Sequence, residues 1–217
     1  MAGVRVENCD LDSSDLHVGA TYEGGPTLGH EPISKLTGTG NQGGIRPRNF
    51  KAGSTALIAL FSTETQVDWP DVVDTASGTV TYFGDNREPG KDLIENNKNR
   101  ILHQVYQGDF ESEKGRLATP LFFVFRAAKD APGRSVIFEG IAVPGSTSPT
   151  EDWCIAKWFS KPGGKFQNYQ IQVTLLADRL IRRSWVEDLV RGDGLSSECP
   201  PNYRHWLETG IRTPLCR

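Results

Sequence analysis

The stretch VDWPDVVDTASGTVTYFGDN, residues 67–86, reads as a β-hairpin whose mouth is lined by aromatics and carboxylates. Its second arm, GTVTYF at residues 78–83, is rich in β-branched and aromatic residues. The run ends in a turn, where Gly84 lets backbone amides approach a ligand closely. Trp69 and Tyr82 offer ring faces; Asp71 and Asp74 offer acceptor oxygens. Such a mouth suits a flat, polar, hydrogen-bonding ring. The same composition also builds an ordinary long hairpin, so composition alone assigns no site.

Immediately upstream, TALIALFS at residues 55–62 is an apolar run of strand length, expected to be buried on both faces. Residues 24–48 are dense in Gly, Pro, Thr and Asn and contain GTGNQGGIRPR, which predicts a long loop. Within it, Gly43 and Gly44 can bring amides up to a phosphate, with Arg46 and Arg48 beside them. Residues 1–17 read as a loose lead-in, and residues 17–23 as a strand. Downstream, apolar residues at helical spacing predict a helix over residues 93–106, carrying Asn99, Arg100 and His103. A lone helical histidine is more often packed than catalytic. Strands are expected at 120–127, 134–144, 152–160 and 165–177, an amphipathic helix at 180–191, and a short helix at 202–210. Residues 192–201 read as a Gly/Ser/Pro linker, giving a body over 1–191 and a linker with a short C-terminal helix over 192–217, a segment able to lead to an effector domain. The predicted fold class is α+β: a curved, mostly antiparallel sheet or small barrel flanked by helices.

Length and composition suit one soluble domain: 217 residues, 37% hydrophobic, 24% charged, with 23 Gly and 13 Pro. No apolar run approaches the roughly 18 residues of a membrane span, and the acidic, polar N-terminus is no secretory signal. The expectation is a cytoplasmic protein with no membrane partner. The cysteines, Cys9, Cys154, Cys199 and Cys216, are scattered without a C-x-x-C pair, which excludes a zinc ribbon and suggests free thiols. The net charge is -3, so a polyanion would have to meet a local basic face. Arg46, Arg48 and Lys51 form one such cluster; Arg179, Arg182, Arg183 and Arg191 form another.

Catalytic signatures are missing. No Asp or Glu is followed, after one spacer, by Lys, as a PD-(D/E)xK nuclease requires, and G-x-S-x-G, P-loop and H-E-x-x-H patterns do not occur. No metal or other cofactor is expected.

The order GNQGGIR, buried strand, D-W-P-D, G-x-x-T-Y-F-G-D-N-R-x-P-G-K and a helix with N-x-N-R-I-L resembles an SRA (SET and RING-associated) domain, the PUA/SRA-like fold that reads modified cytosine. It most resembles the N-terminal recognition region of the AspBHI/MspJI group of modification-dependent restriction endonucleases. The likeness is specific over residues 17–106 and rests on strand order from there to 191.

That resemblance implies a non-enzymatic domain that flips 5-methylcytosine out of duplex DNA, either as a stand-alone reader or as the specificity domain of a modification-dependent restriction system with a nuclease domain or partner. Flipping costs a few kcal/mol; stacking on a ring returns roughly 1–3 kcal/mol. By resemblance Tyr82 is that ring and Trp69 a wall. Asp71 would accept from the base's N4, although Asp74 remains open, and the amides of Phe83, Gly84 and Asp85 would face N3 and O2. Gly43, Gly44, Arg46 and Arg48 would contact backbone or fill the vacated gap; Lys91, Asn99 and Arg100 would contact phosphates. A buried methyl is worth about 0.8 kcal/mol, rising to roughly 1–3 with pocket fit, which predicts about ten- to a hundredfold preference for the methylated base. The alternatives are another mark, such as 5-hydroxymethylcytosine or phosphorothioate, or a nucleotide-processing enzyme using Asp71 as acid/base.

Overall fold

Twelve strands, five α-helices and a short 3-10 turn at Asn8–Asp10 follow from the alternation and capping of the chain, in a computed structural model that describes residues 4–27, 30–50, 53–67, 69–147 and 152–216. The strands are β1 (Arg5–Val6), β2 (Leu16–His17), β3 (Thr21–Tyr22), β4 (Ile45–Asn49), β5 (Thr55–Ser62) and β6 (Val72–Asp74), then β7 (Thr79–Phe83), β8 (Leu121–Ala127), β9 (Val136–Pro144), β10 (Cys154–Lys161), β11 (Gly164–Leu175) and β12 (Leu180–Ile181). The helices are α1 (Pro32–Thr37), α2 (Asn97–Gln107), α3 (Glu113–Ala118), α4 (Arg183–Arg191) and α5 (Pro201–Thr209).

The main sheet runs β4-β5-β8-β9-β11-β7-β6, with β10 attached to β11 and β3 to β9. Pairing is mostly antiparallel, but β5 and β8 run parallel, as do β1 and β3, so the sheet is mixed. The expected barrel is corrected here: β4 and β6 end the order without pairing to each other, so the sheet stays open. A parallel β5–β8 step needs a long crossover, and that crossover carries β6, β7, α2 and α3.

Both faces of the sheet are buried, for the reason read in TALIALFS. Leu57 and Ala59 point into one apolar cluster, with Phe123, Phe125, Trp185, Val186, Tyr203 and Trp206. Ile58 and Leu60 point into the other, with Val80, Tyr82, Leu102, Phe122 and Ile171. Helices α1, α4 and α5 cover the first face and α2 the second. Each large apolar side chain so buried contributes roughly 1.5–3 kcal/mol.

Several elements differ from the sequence reading. Residues 4–17 are no loose lead-in: Leu11 and Leu16 are fully buried, and β2 pairs with β12. The Gly-rich segment holds α1, which starts on Pro32 with Glu31 accepting from the Ser34 amide, and β4, which survives two arginines and a proline by lying at the sheet edge. Helix α2 begins later than expected, because the Asn96 side chain caps the amides of Lys98 and Asn99. Helix α3 carried no sequence signal strong enough to expect it. The amphipathic helix expected from residue 180 begins only at Arg183, because Leu180 and Ile181 form β12, with Leu180 over a third exposed and Ile181 buried. Beyond the irregular 192–200 segment, α5 seats Tyr203, Trp206 and Leu207 in the first cluster, and Leu215 joins the second.

Candidate nucleic-acid interface

The organising hairpin forms as β6 and β7, with register Val72↔Thr81 and Asp74↔Thr79. On β7, alternation sends Val80 and Tyr82 inward and leaves Thr81 and Phe83 half-buried on the opposite face. Beside this hairpin opens a cavity of about 660 Å³, within the ~300–1,000 Å³ range of small-molecule pockets. Its wall combines the 41–46 loop, the end of β5 with Thr63 and Gln66, Trp69, Asp71, Tyr82 to Asp85, Arg87, and the β8–β9 turn.

Like the carboxylates of Glu31 and Asp85, Asp71 lies on this wall. The Phe83 amide donates to its Oδ1 at 3.0 Å. Burial pushes its carboxyl up to about 6, against the opposing pull of the Phe83 amide and the Ser62 hydroxyl. A carboxylate has about four lone-pair sites, so acceptor capacity remains. Asp74 is not in the cavity. It is exposed, and its side chain closes the β6–β7 turn by accepting from the Ala76 amide at 3.0 Å and the Ser77 hydroxyl at 2.6 Å.

Tyr82 is 4% exposed, and its hydroxyl donates to the Phe61 carbonyl at 3.0 Å. That bond joins β7 to β5 across the cavity floor, and burial raises the phenol well above its ordinary value. Gly44 is required there: a Cβ at this position would lie 2.4 Å from the Tyr82 hydroxyl. Gly43 has a φ of +83°, which glycine alone adopts freely. Trp69 lines the cavity and is braced edge-on by Phe159 and Phe166, each with ring centroids 5.3 Å away. Phe83 meets Phe159 at 5.7 Å in the same manner. Nothing in the 67–86 stretch foretold these partners, which arrive from the β10–β11 hairpin.

The amides expected to face a ligand already have acceptors. Phe83 N–H is bound to Asp71, Gly84 N–H donates to the Tyr169 carbonyl at 2.8 Å, and Asp85 N–H donates to Asn99 Oδ1 at 2.9 Å. A lattice of asparagines holds this turn from behind. Asn168 donates to the Gly84 carbonyl, and its Oδ1 accepts from the Asn86 amide at 3.2 Å. Asn96 donates to the Asp85 carbonyl at 3.2 Å. Gly84 fits only without a side chain, since its Cβ would lie 2.0 Å from Asn99 Oδ1 and 2.5 Å from Asn168 Oδ1.

Of the residues expected at a DNA backbone, Asn99 is fully buried in this lattice and away from solvent. Arg46 is 5% exposed; it faces Glu31 at 2.8 Å, donates to the Gly43 carbonyl at 2.6 Å and lies over the Phe61 ring. It therefore holds the cavity wall together. Arg48 turns away, in a two-pronged bond to Glu187 of α4 at 3.2 and 3.0 Å. Lys91 pairs with Glu88 at the surface, and Arg100 is exposed and bonded to Asn97. His103 stacks on Tyr169. Lys51 lies outside the described residues. Among the described residues no three His, Cys, Asp or Glu side chains gather as a metal site, and no helix is long and apolar enough to cross a membrane.

A family model described as the N-terminal region of restriction endonuclease AspBHI matches residues 16–217. The chain belongs to this family. A structural comparison agrees. The DNA recognition domain of the cytosine modification-dependent restriction endonuclease LpnPI superposes with a TM-score of 0.90 at 31% identity, covering 100% of this chain and 98% of that one. The DNA modification-dependent restriction endonuclease AspBHI gives 0.86 at 33% identity, with 99% of this chain covering 55% of that one. The MspJI restriction endonuclease, solved with a 27-mer oligonucleotide, shares the fold at a TM-score of 0.72 and 20% identity, over 94% of this chain and 55% of that one. Comparison with curated proteins returns no match. As a member of the AspBHI N-terminal family the chain is an SRA-like recognition domain, and it spans about half of the two endonuclease chains. Of two rim residues not singled out in the sequence, Gln42 lies within the GNQGGIR motif, and Gln66 had no motif to mark it.

Proposed function

We infer that this domain binds duplex DNA containing 5-methylcytosine and receives the modified nucleotide, swung out of the helix, in the cavity beside β6 and β7. The observation that carries the reading is the meeting of the half-buried Asp71 carboxylate with the rings of Tyr82 and Trp69 on one wall of a base-sized cavity. Asp71 accepts from the N4 amino group, which disfavours thymine because thymine presents an acceptor there. Tyr82, fixed through the Phe61 carbonyl, supplies the stacking face, and the braced Trp69 closes the side. With the Phe83, Gly84 and Asp85 amides engaged, the donors assigned to N3 and O2 are the side-chain amides of Gln42 and Gln66, which line the cavity and have no side-chain hydrogen-bond partner among the described residues. Arg87 and Arg100 contact flanking phosphates. A nuclease domain elsewhere in the protein acts on the DNA so held.

The test is a band-shift with matched methylated, hemimethylated and unmodified duplexes, and with hydroxymethylated and phosphorothioate versions. A preference of about ten- to a hundredfold for methylated cytosine is expected. Asp71→Ala abolishes that preference while weak, salt-sensitive binding persists; Asp74→Ala leaves it intact. Equal affinity of the wild type for all duplexes refutes the reading.

A further inference from the structure

The β10–β11 hairpin projects beyond the sheet. Residues 154–161 pair strand-to-strand only with β11, and β11 itself joins β7 only from Gln170 onward. Register places the side chains on two faces. Phe159, half-buried, stands opposite the buried Phe166, and both rings pack edge-on against Trp69. Trp158 stands opposite Gln167, and Ser160 opposite Lys165, on the other face. Trp158 is 64% exposed, the most exposed aromatic among the described residues. An indole left in water on an edge strand, where a polar residue would be free of cost, marks a contact surface.

The charge around it has one sign. From Cys154 to Ala177 the chain contains Lys157, Lys161 and Lys165 and no carboxylate, in a molecule of net charge -3. Lys161 is engaged, lying over the Phe166 ring and donating to the Arg87 carbonyl. Lys157 and Lys165 have no ion-pair partner among the described residues. Arg87 lines the cavity, and Gly164 packs on Pro89 just beyond it, so the arm flanks the cavity mouth.

We propose that the stem of the β10–β11 arm is a second DNA-contacting surface. Lys165, on the Trp158 face, neutralises a phosphate of the duplex beside the extruded nucleotide, and the Trp158 indole packs on the adjoining sugar. This rests on the reading that the cavity receives a base from duplex DNA. The arm positions the duplex and does not read the mark, because it touches backbone and not base edges. Its buried face is the aromatic brace of Trp69 and Phe83, so the surface that holds the duplex and the wall that holds the base are one rigid piece.

The experiment measures affinity for methylated and unmodified duplexes of one sequence across a salt titration, with the whole chain. Lys165→Ala lowers the slope of log K against log salt by about 1, a loss of roughly fivefold near 0.15 M salt relative to 1 M, equally for both duplexes. Trp158→Ala weakens both duplexes by one common factor, and Trp158→Phe restores most of it. Unfolding midpoints matching the wild type confirm that the exposed substitutions leave the fold intact. Wild-type affinity and salt slope in the alanine variants overturn the proposal, as does a loss confined to the methylated duplex. A wild type that does not favour the methylated duplex, while arm variants still weaken binding, sinks the base-pocket reading and leaves the arm standing.

Discussion

Replacing Asp71 by asparagine should make the domain more stable and less discriminating at once. The carboxyl titrates near 6 in the folded state because burial disfavours its charge, against about 3.9 in an unfolded chain. The folded pKa is raised, so the charged form costs stability. That cost is absent below about pH 4, grows between 4 and 6, and is complete above 6. At 1.36 kcal/mol for each tenfold change in proton affinity, it reaches about 3 kcal/mol at pH 8. Asparagine keeps an oxygen for the Phe83 amide, which donates at 3.0 Å, but carries no charge. Asp71→Asn should therefore match the wild type in urea unfolding at pH 4 and exceed it by up to about 3 kcal/mol at pH 8. In melting temperature that is roughly 6–12 °C for a domain of this size. The difference between variant and wild type isolates Asp71 from other carboxylates, such as Asp15 and Glu187, whose arginine and amide partners hold them low. Binding moves oppositely. With its oxygen held by Phe83, the new amide presents –NH2 to the base's own amino group, and an unpaired buried donor costs about 1–3 kcal/mol, so roughly ten- to a hundredfold in preference is lost. The wild type shows the same loss as pH falls below 6 and Asp71 takes up a proton. A variant less stable at pH 8, or one that keeps full discrimination, refutes the reasoning.

Gly84→Ala forces a methyl onto two buried amide oxygens, at 2.0 and 2.5 Å, and should destabilise the domain by several kcal/mol; a urea midpoint equal to wild type would contradict the asparagine lattice. Arg48→Ala removes the β4–α4 bond to Glu187, which is partly exposed. It should lower stability by about 1 kcal/mol and leave the salt slope of DNA binding unchanged; a smaller slope would return Arg48 to the backbone-contacting set.

What the sequence by itself determined is what repeats locally. The continuous apolar run of β5 announced a strand buried on both faces, and the β-branched and aromatic residues of GTVTYF announced β7. The helical period announced α2 and α4, and the dense motifs around Tyr82 and Asn99 carried the family. These signals survive because a period of two or 3.6 is written into neighbouring residues. Helix α1 and strand β4 stayed hidden because their stability lies in distant partners: Glu31 with Arg46, and Arg48 with Glu187, 139 positions further on. Only the tertiary structure put Asp71, and not Asp74, on the cavity wall, since the two differ in burial and not in chemistry. It also turned Arg46 and Asn99 from candidate DNA contacts into internal supports, and it brought Phe159 and Phe166 against Trp69. An arginine or asparagine carries the same donors whether it meets a phosphate or a buried carbonyl; the packing around it selects the partner, and packing is a property of the folded chain.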